Sequence, residues 1–336
     1  MLSCQINKIA LAGLVLLLPW VTPLFAQNPS HSVRYTNANF FDIDNIVIKD
    51  SVVYGNAKNW LGNEDTLDMK IYYPDLAADS LKKRPLVVLI HGGSYFMGTK
   101  EDACNPACFL AKRGFVTASI NYRLGWNSYM HRGNKWDSTF YMAIYRSVQD
   151  SKAAIRFLVS NASQYGIDTS KIFIGGISAG ATTALYTAYY SQSTWDKDFP
   201  WLEKKLGSLD GSTNTLTNKY TLTGVFDICG GIGDTTDLVS ADARRIAIMI
   251  FHGTADSVVS YSRPKSFEDS RMIPLYGGYL IAQRYNHLNG CYQLFTNPGG
   301  GHGQGFYSRL IADKIGVFCK NLFEGTCKPQ EFTLEH

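Results

Sequence analysis

At 336 residues, with 45% hydrophobic and 18% charged residues, the chain carries enough apolar material to bury the core of one large α/β domain. Its formal charge of +4 is spread without any block of like charge, which excludes a nucleic-acid track and a polybasic membrane anchor.

The N-terminus carries Lys8, an apolar run from Ile9 to Leu18, Pro19, and a segment ending in Ala26 before Gln27. A run this short followed by a small residue has the form of a cleavable export leader over 1–26, so a secreted or periplasmic protein is expected. No other stretch reaches the roughly 18 apolar residues that a spanning helix needs, so no membrane anchor is expected after cleavage. Six cysteines then remain, Cys104, Cys108, Cys229, Cys291, Cys319 and Cys327, and an even count in an exported chain favours disulfides. Short separations make Cys104 with Cys108 and Cys319 with Cys327 the local candidates. Cys229 and Cys291 are left as a long-range pair or as two buried thiols. No His stands at ligand spacing beside these cysteines and there is no His-Glu-x-x-His, so no metal or other cofactor is expected.

The rest, 27–336, reads as a single domain. Apolar runs predict strands over 45–54, 67–73, 86–90, 115–121, 171–175, 223–229, 246–251 and 292–296, with helical patterns over 147–161, 179–190 and 306–323. Such alternation predicts an α/β fold with a mostly parallel, doubly wound sheet. The first two strands are joined by a polar segment without helical pattern, which predicts an antiparallel hairpin at the N-terminal edge. In this class the ligand crevice lies beyond the carboxyl ends of the strands. Three connections are long, 125–145, 191–220 and 257–290, and long loops are often functional. The first holds Trp126, Tyr129, Trp136, Phe140, Tyr141 and Tyr145, which suits a wall or lid over the crevice and equally a satellite core beneath the loop.

The strongest chemical signal is Gly176-Ile177-Ser178-Ala179-Gly180, between a predicted strand and a predicted helix. A strand-to-helix turn this tight needs small residues around the nucleophile and lifts the Ser178 side chain above the sheet. His91-Gly92-Gly93-Ser94 follows the third predicted strand, where backbone N–H groups of Gly93 and Ser94, with that of Ala179, would hold a developing oxyanion. His91 itself reads as a structural residue of that loop. A serine hydroxyl needs a base and the base an orienting acid. Asp256 closes His252-Gly253-Thr254-Ala255-Asp256 after the seventh strand, and His302 lies among glycines in the turn after the eighth. Of the other histidines, His31 is near the mature N-terminus, His131 and His287 fall in long loops, and His252 belongs to its own motif. Asp227 is the rival acid; Asp150 reads as a structural ion pair or cap.

On these four motifs the chain resembles the α/β-hydrolase superfamily of esterases and lipases from Asn45 to Phe323, with Asn121-Tyr122-Arg123-Leu124 and the helix beginning at Asp150 as supporting stretches. The order Ser, Asp, His is the order of that superfamily. Hormone-sensitive-lipase-like esterases carry a third Gly after His-Gly-Gly and an Asp before the nucleophile, where this chain has Ser94 and Ile177. The pattern is similar to secreted bacterial carboxylesterases, including those acting on acetyl or feruloyl groups of plant polysaccharides. The resemblance implies a serine esterase with a Ser178–His302–Asp256 triad, acting on a small-molecule or polymer ester. A peptidase of the same fold, a polyester hydrolase and a non-catalytic binding protein are the alternatives, and the oligomeric state is open.

Overall fold

Nine strands form one sheet in the order β1-β2-β4-β3-β5-β6-β7-β8-β9 in the computed structural model, which describes residues 33–127, 138–266 and 273–335. The strands are β1 (Ile46–Lys58), β2 (Glu64–Pro74), β3 (Arg84–Ile90), β4 (Val116–Ile120), β5 (Ile167–Ile177), β6 (Leu222–Ile228), β7 (Ala247–Gly253), β8 (Tyr292–Asn297) and β9 (Gln330–Thr333). β1 and β2 make an antiparallel hairpin and β2 joins β4 antiparallel, while every pairing from β4 through β9 is parallel. This is the expected sheet, with one strand added at its end. The predicted leader lies outside the described residues, and Val33–His336 forms one compact unit.

The helices are α1 (Cys104–Ala111), α2 (Ser138–Ser160), α3 (Ala162–Tyr165), α4 (Ala179–Tyr189), α5 (Gln192–Asp198), α6 (Leu202–Leu206), α7 (Ser240–Arg245), α8 (Gly278–His287) and α9 (Ser308–Phe323). Period-two alternation explains how the sheet serves both layers: Leu86, Val88 and Ile90 of β3 face the core shared with α2, α4 and α8, whereas Val87 and Leu89 face that shared with α1 and α9. Burying each such side chain contributes roughly 1.5–3 kcal/mol. No helix among the described residues is long and apolar enough to cross a membrane.

The long connections prove to be partly helical. Residues 191–220 contain α5 and α6, and 257–290 contains α8. The described aromatics of 125–145 pack inward: Trp126, Phe140 and Tyr145 are buried and Tyr141 is half-buried. Tyr129, His131 and Trp136 lie outside the described residues.

The disulfide expectation needs correcting. The bridge joins Cys291 to Cys327, and Cys104, Cys108, Cys229 and Cys319 are free thiols. Register explains the pairing. β9 runs parallel to β8 with Gln293 opposite Gln330, so the residues just before each strand are brought together. Cys319 instead points into the core from α9, and the Sγ of Cys104 bonds back to the Lys100 carbonyl of its own turn.

Candidate active site

The turn from β5 into α4 is sterically fixed. A Cβ on Gly176 would lie 2.4 Å from the Ile90 carbonyl oxygen, and one on Gly180 only 2.2 Å from that same atom, so β3 and α4 approach too closely for any side chain at these places. Ser178 sits at the apex with φ of 56° and ψ of −120°, a backbone region L-residues seldom occupy. Its N–H donates to the Ile228 carbonyl at 2.8 Å, which ties the strained turn to the end of β6.

The structure brings the three sequence-predicted side chains together. Ser178 Oγ lies 2.8 Å from His302 Nε2, and His302 Nδ1 lies 2.7 Å from Asp256 Oδ2. With Nδ1–H donating to the carboxylate, Nε2 is left as the acceptor for the serine hydroxyl. The two loops that carry His302 and Asp256 leave the adjacent parallel strands β8 and β7, so sheet pairing places them side by side.

Asp256 is buried yet ionised. Burial alone would raise its carboxyl, but hydrogen bonds from His252 and His302 outweigh it and hold the group well below the usual carboxylate range. Its Oδ1 also accepts the backbone N–H groups of Val258 and Val259 at 2.8 and 2.9 Å. His252 is a partner that the sequence motif alone did not disclose. Its Nδ1 accepts from Gly278 N–H at 3.0 Å, so Nε2 carries the proton, 2.8 Å from the Val259 carbonyl and 3.3 Å from Asp256 Oδ2.

Asp227, the rival acid, is fully buried at the end of β6, where its Oδ1 accepts the Gly230 N–H at 2.7 Å; Oδ2 has no partner among the described residues. Burial pushes its carboxyl up to about 6. Asp150 pairs with Arg123 at 2.8 Å. Cys229 is a buried thiol, one of the two alternatives open to it from the sequence, and its Sγ stands 3.8 Å from His302 Nε2. Burial pushes that thiol well above its usual value, so it is a neutral neighbour of the imidazole.

The turn after β3 faces this centre, since a Cβ on Gly92 would meet Ser178 Cβ at 3.3 Å. Gly93 and Ser94 both adopt positive φ, 108° and 52°, and their backbone N–H groups have no hydrogen-bond partner among the described residues. Ala179 opens α4, so its N–H has no intrahelical acceptor. Three backbone N–H groups without a partner among the described residues thus lie in the turn after β3 and at the start of α4. The turn is held from behind by Trp126, whose Nε1 donates to the Ser94 carbonyl at 2.9 Å, and by Tyr95, whose hydroxyl donates to the Ala179 carbonyl at 3.0 Å. Exposed Phe96, Met97 and Ile177 give the rim an apolar character.

Among solved structures, esterase 2 of Thermogutta terrifontis, phosphorylated by paraoxon, is 21% identical over 86% of this chain and 97% of that one, with a TM-score of 0.54. A truncated carbohydrate esterase from gut microbiota is 20% identical over 82% and 95%, with a TM-score of 0.55. At this identity the likeness is one of fold, that of α/β-hydrolase esterases. In sequence, esterase E4 of Myzus persicae is 30% identical over 137 residues, 39% of this chain and 23% of that protein. The neuroligin-like protein glit-1 of Caenorhabditis elegans is 29% identical over 135 residues, 40% and 17%. The matched stretch therefore spans less than a quarter of either relative. A family model described as BD-FAE matches residues 69–243, just over half of the chain, taking in the turn after β3 and the Ser178 elbow: the chain belongs to the BD-FAE family.

Proposed function

We propose that the protein is a serine hydrolase of carboxylic esters, in which Ser178 is acylated with His302 as general base and Asp256 as its orienting acid. The observation that carries this reading is the continuous line from Ser178 Oγ through the imidazole to Asp256, at 2.8 and 2.7 Å, with the three backbone N–H groups of the turn after β3 and the start of α4. In acylation, Nε2 takes the hydroxyl proton as Oγ bonds to the acyl carbon, and the oxyanion is held by the N–H groups of Gly93, Ser94 and Ala179. The C–O bond then breaks and the imidazolium returns the proton to the departing alkoxide. Water repeats the sequence on the acyl-enzyme and frees the acid. The esterase names among the relatives and structural neighbours support the choice of ester over amide substrates.

The substrate class we assign is short acyl, acetyl or feruloyl esters of plant polysaccharides, supported by the gut carbohydrate esterase among the fold neighbours. Export through the leader over 1–26 belongs to the same reading; N-terminal sequencing of exported protein is expected to begin at Gln27.

Hydrolysis of p-nitrophenyl esters from acetate to long-chain acyl groups tests the activity. Release from short esters is expected, with Ser178→Ala slower by about ten-thousandfold or more. Near wild-type rates in that variant would sink the assignment.

A further inference from the structure

Beyond the carboxyl end of β4, the β1–β2 hairpin and residues 205–213 enclose a cavity of about 780 Å³. Its wall carries four cationic side chains, Lys58, Arg123, Arg146 and Lys205, against one acidic side chain, Glu64. Lys58 and Lys205 are exposed at its rim, whereas Arg123 and Arg146 are buried.

The two arginines are not in the same situation. Arg123 is accounted for: it bridges Asp150, donates to the Lys58 carbonyl at 3.0 Å and to Gln149 Oε1 at 3.0 Å. Arg146 is 3% exposed and forms no ion pair among the described residues. One Nη2 hydrogen bond goes to the Gly125 carbonyl at 2.6 Å, and its Nε has no hydrogen-bond partner among the described residues. The nearby Asp150 is already taken up by Arg123 and by the Thr213 hydroxyl. Two buried guanidiniums therefore stand near one buried carboxylate, and Arg146 keeps its positive charge without a counterion among the described residues. Burying such a charge is costly unless something pairs with it, and a ligand anion is the partner that a cavity admits. Burial and the adjacent Arg123 pull the Arg146 guanidinium down to about 10, the direction expected of an uncompensated cation.

We propose that this cavity binds a sugar carboxylate of the uronate type, with Arg146 as its anchor and Lys58 and Lys205 at the rim. A planar guanidinium matches a planar carboxylate through two parallel hydrogen bonds. The half-exposed indole of Trp60 on the same wall offers a flat face to a pyranose ring. The cavity is also wired to the reacting centre: Arg146 holds the Gly125 carbonyl, and the next residue, Trp126, holds the Ser94 carbonyl of the oxyanion turn. A uronate here is a neighbouring unit of the esterified chain. That last step rests on the ester-hydrolase reading; binding itself does not.

Calorimetric titration of the wild-type and Ser178→Ala proteins with sodium glucuronate, glucose and inorganic phosphate tests this. Glucuronate is expected to bind both proteins, with glucose and phosphate weaker by about tenfold or more. Arg146→Gln is expected to weaken glucuronate by about tenfold or more. If that variant does not fold, the exposed pair Lys58→Gln/Lys205→Gln takes its place, with an expected loss of about threefold or more. No heat from glucuronate, equal binding of glucose, tighter binding of phosphate, or affinity indifferent to these substitutions would overturn the proposal. Absence of ester turnover with glucuronate still bound would remove the proposed function and leave the binding site standing.

Discussion

Two buried aspartates at neighbouring strand ends are held in opposite states by their surroundings. Asp256 receives two imidazoles and two backbone N–H groups and stays ionised, whereas Asp227 receives one N–H and is pushed up to about 6. Asp227 has a folded value above its unfolded one, so its contribution to stability is present at acid pH and is lost as pH rises through about 6. The shift corresponds to roughly 3 kcal/mol at most for this fully buried group. Asp227→Asn keeps the acceptor for Gly230 N–H and cannot ionise. Its stability relative to wild type, measured by denaturant unfolding between about pH 4 and pH 7, is therefore expected to rise with pH. Its ester-hydrolysis rate is expected to stay near wild type, while Asp256→Asn loses about ten-thousandfold. The sequence brought Ser178, Asp256 and His302 forward because each follows a strand end in a recognisable motif. It could not rank Asp227 by distance, nor show that Cys229 and His252 touch the same centre, because those contacts depend on which strands are neighbours.

At the scale of elements, the elbow works because β3 and α4 touch backbone to backbone at Gly180. Gly180→Ala places a methyl group 2.2 Å from the Ile90 carbonyl oxygen, so α4 must shift. A cost of about 1–3 kcal/mol is expected in thermal or denaturant unfolding, together with loss of activity as the Ala179 N–H moves. An alanine variant of wild-type stability and rate would contradict this packing. Buried strands of continuous apolar residues were legible, as were the helices that carry a broad apolar face. α5 and α6 were not, since each spans fewer than two full turns and shows too little periodicity. α8 went unread because it lies inside a long polar connection. β9, Gln330-Glu331-Phe332-Thr333, is exposed along its whole length and carries no apolar run. Only pairing with β8 makes it a strand.

Across the whole molecule, distant segments are stapled to the sheet. Buried Asp79 bridges Arg34 and Arg84, each at 2.6 Å, tying the start of the compact unit to β3. The disulfide Cys291–Cys327 closes a span of 36 residues that contains β8, the His302 turn and α9. Chain-entropy arguments put its contribution at about 4 kcal/mol. Cys291→Ser/Cys327→Ser is expected to lower stability by that order in denaturant unfolding, and an unchanged midpoint would show that the bridge is dispensable. The pairing was illegible because cysteine spacing carries no information about a strand the sequence does not announce. The elbow, the turn after β3 and both loops meet around one hydroxyl, and a serine-directed phosphonate with intact-mass and peptide mapping interrogates it directly. One label per chain, located on Ser178 and lost together with turnover in Ser178→Ala, is the predicted result. No label, or label elsewhere with turnover persisting in that variant, would contradict it.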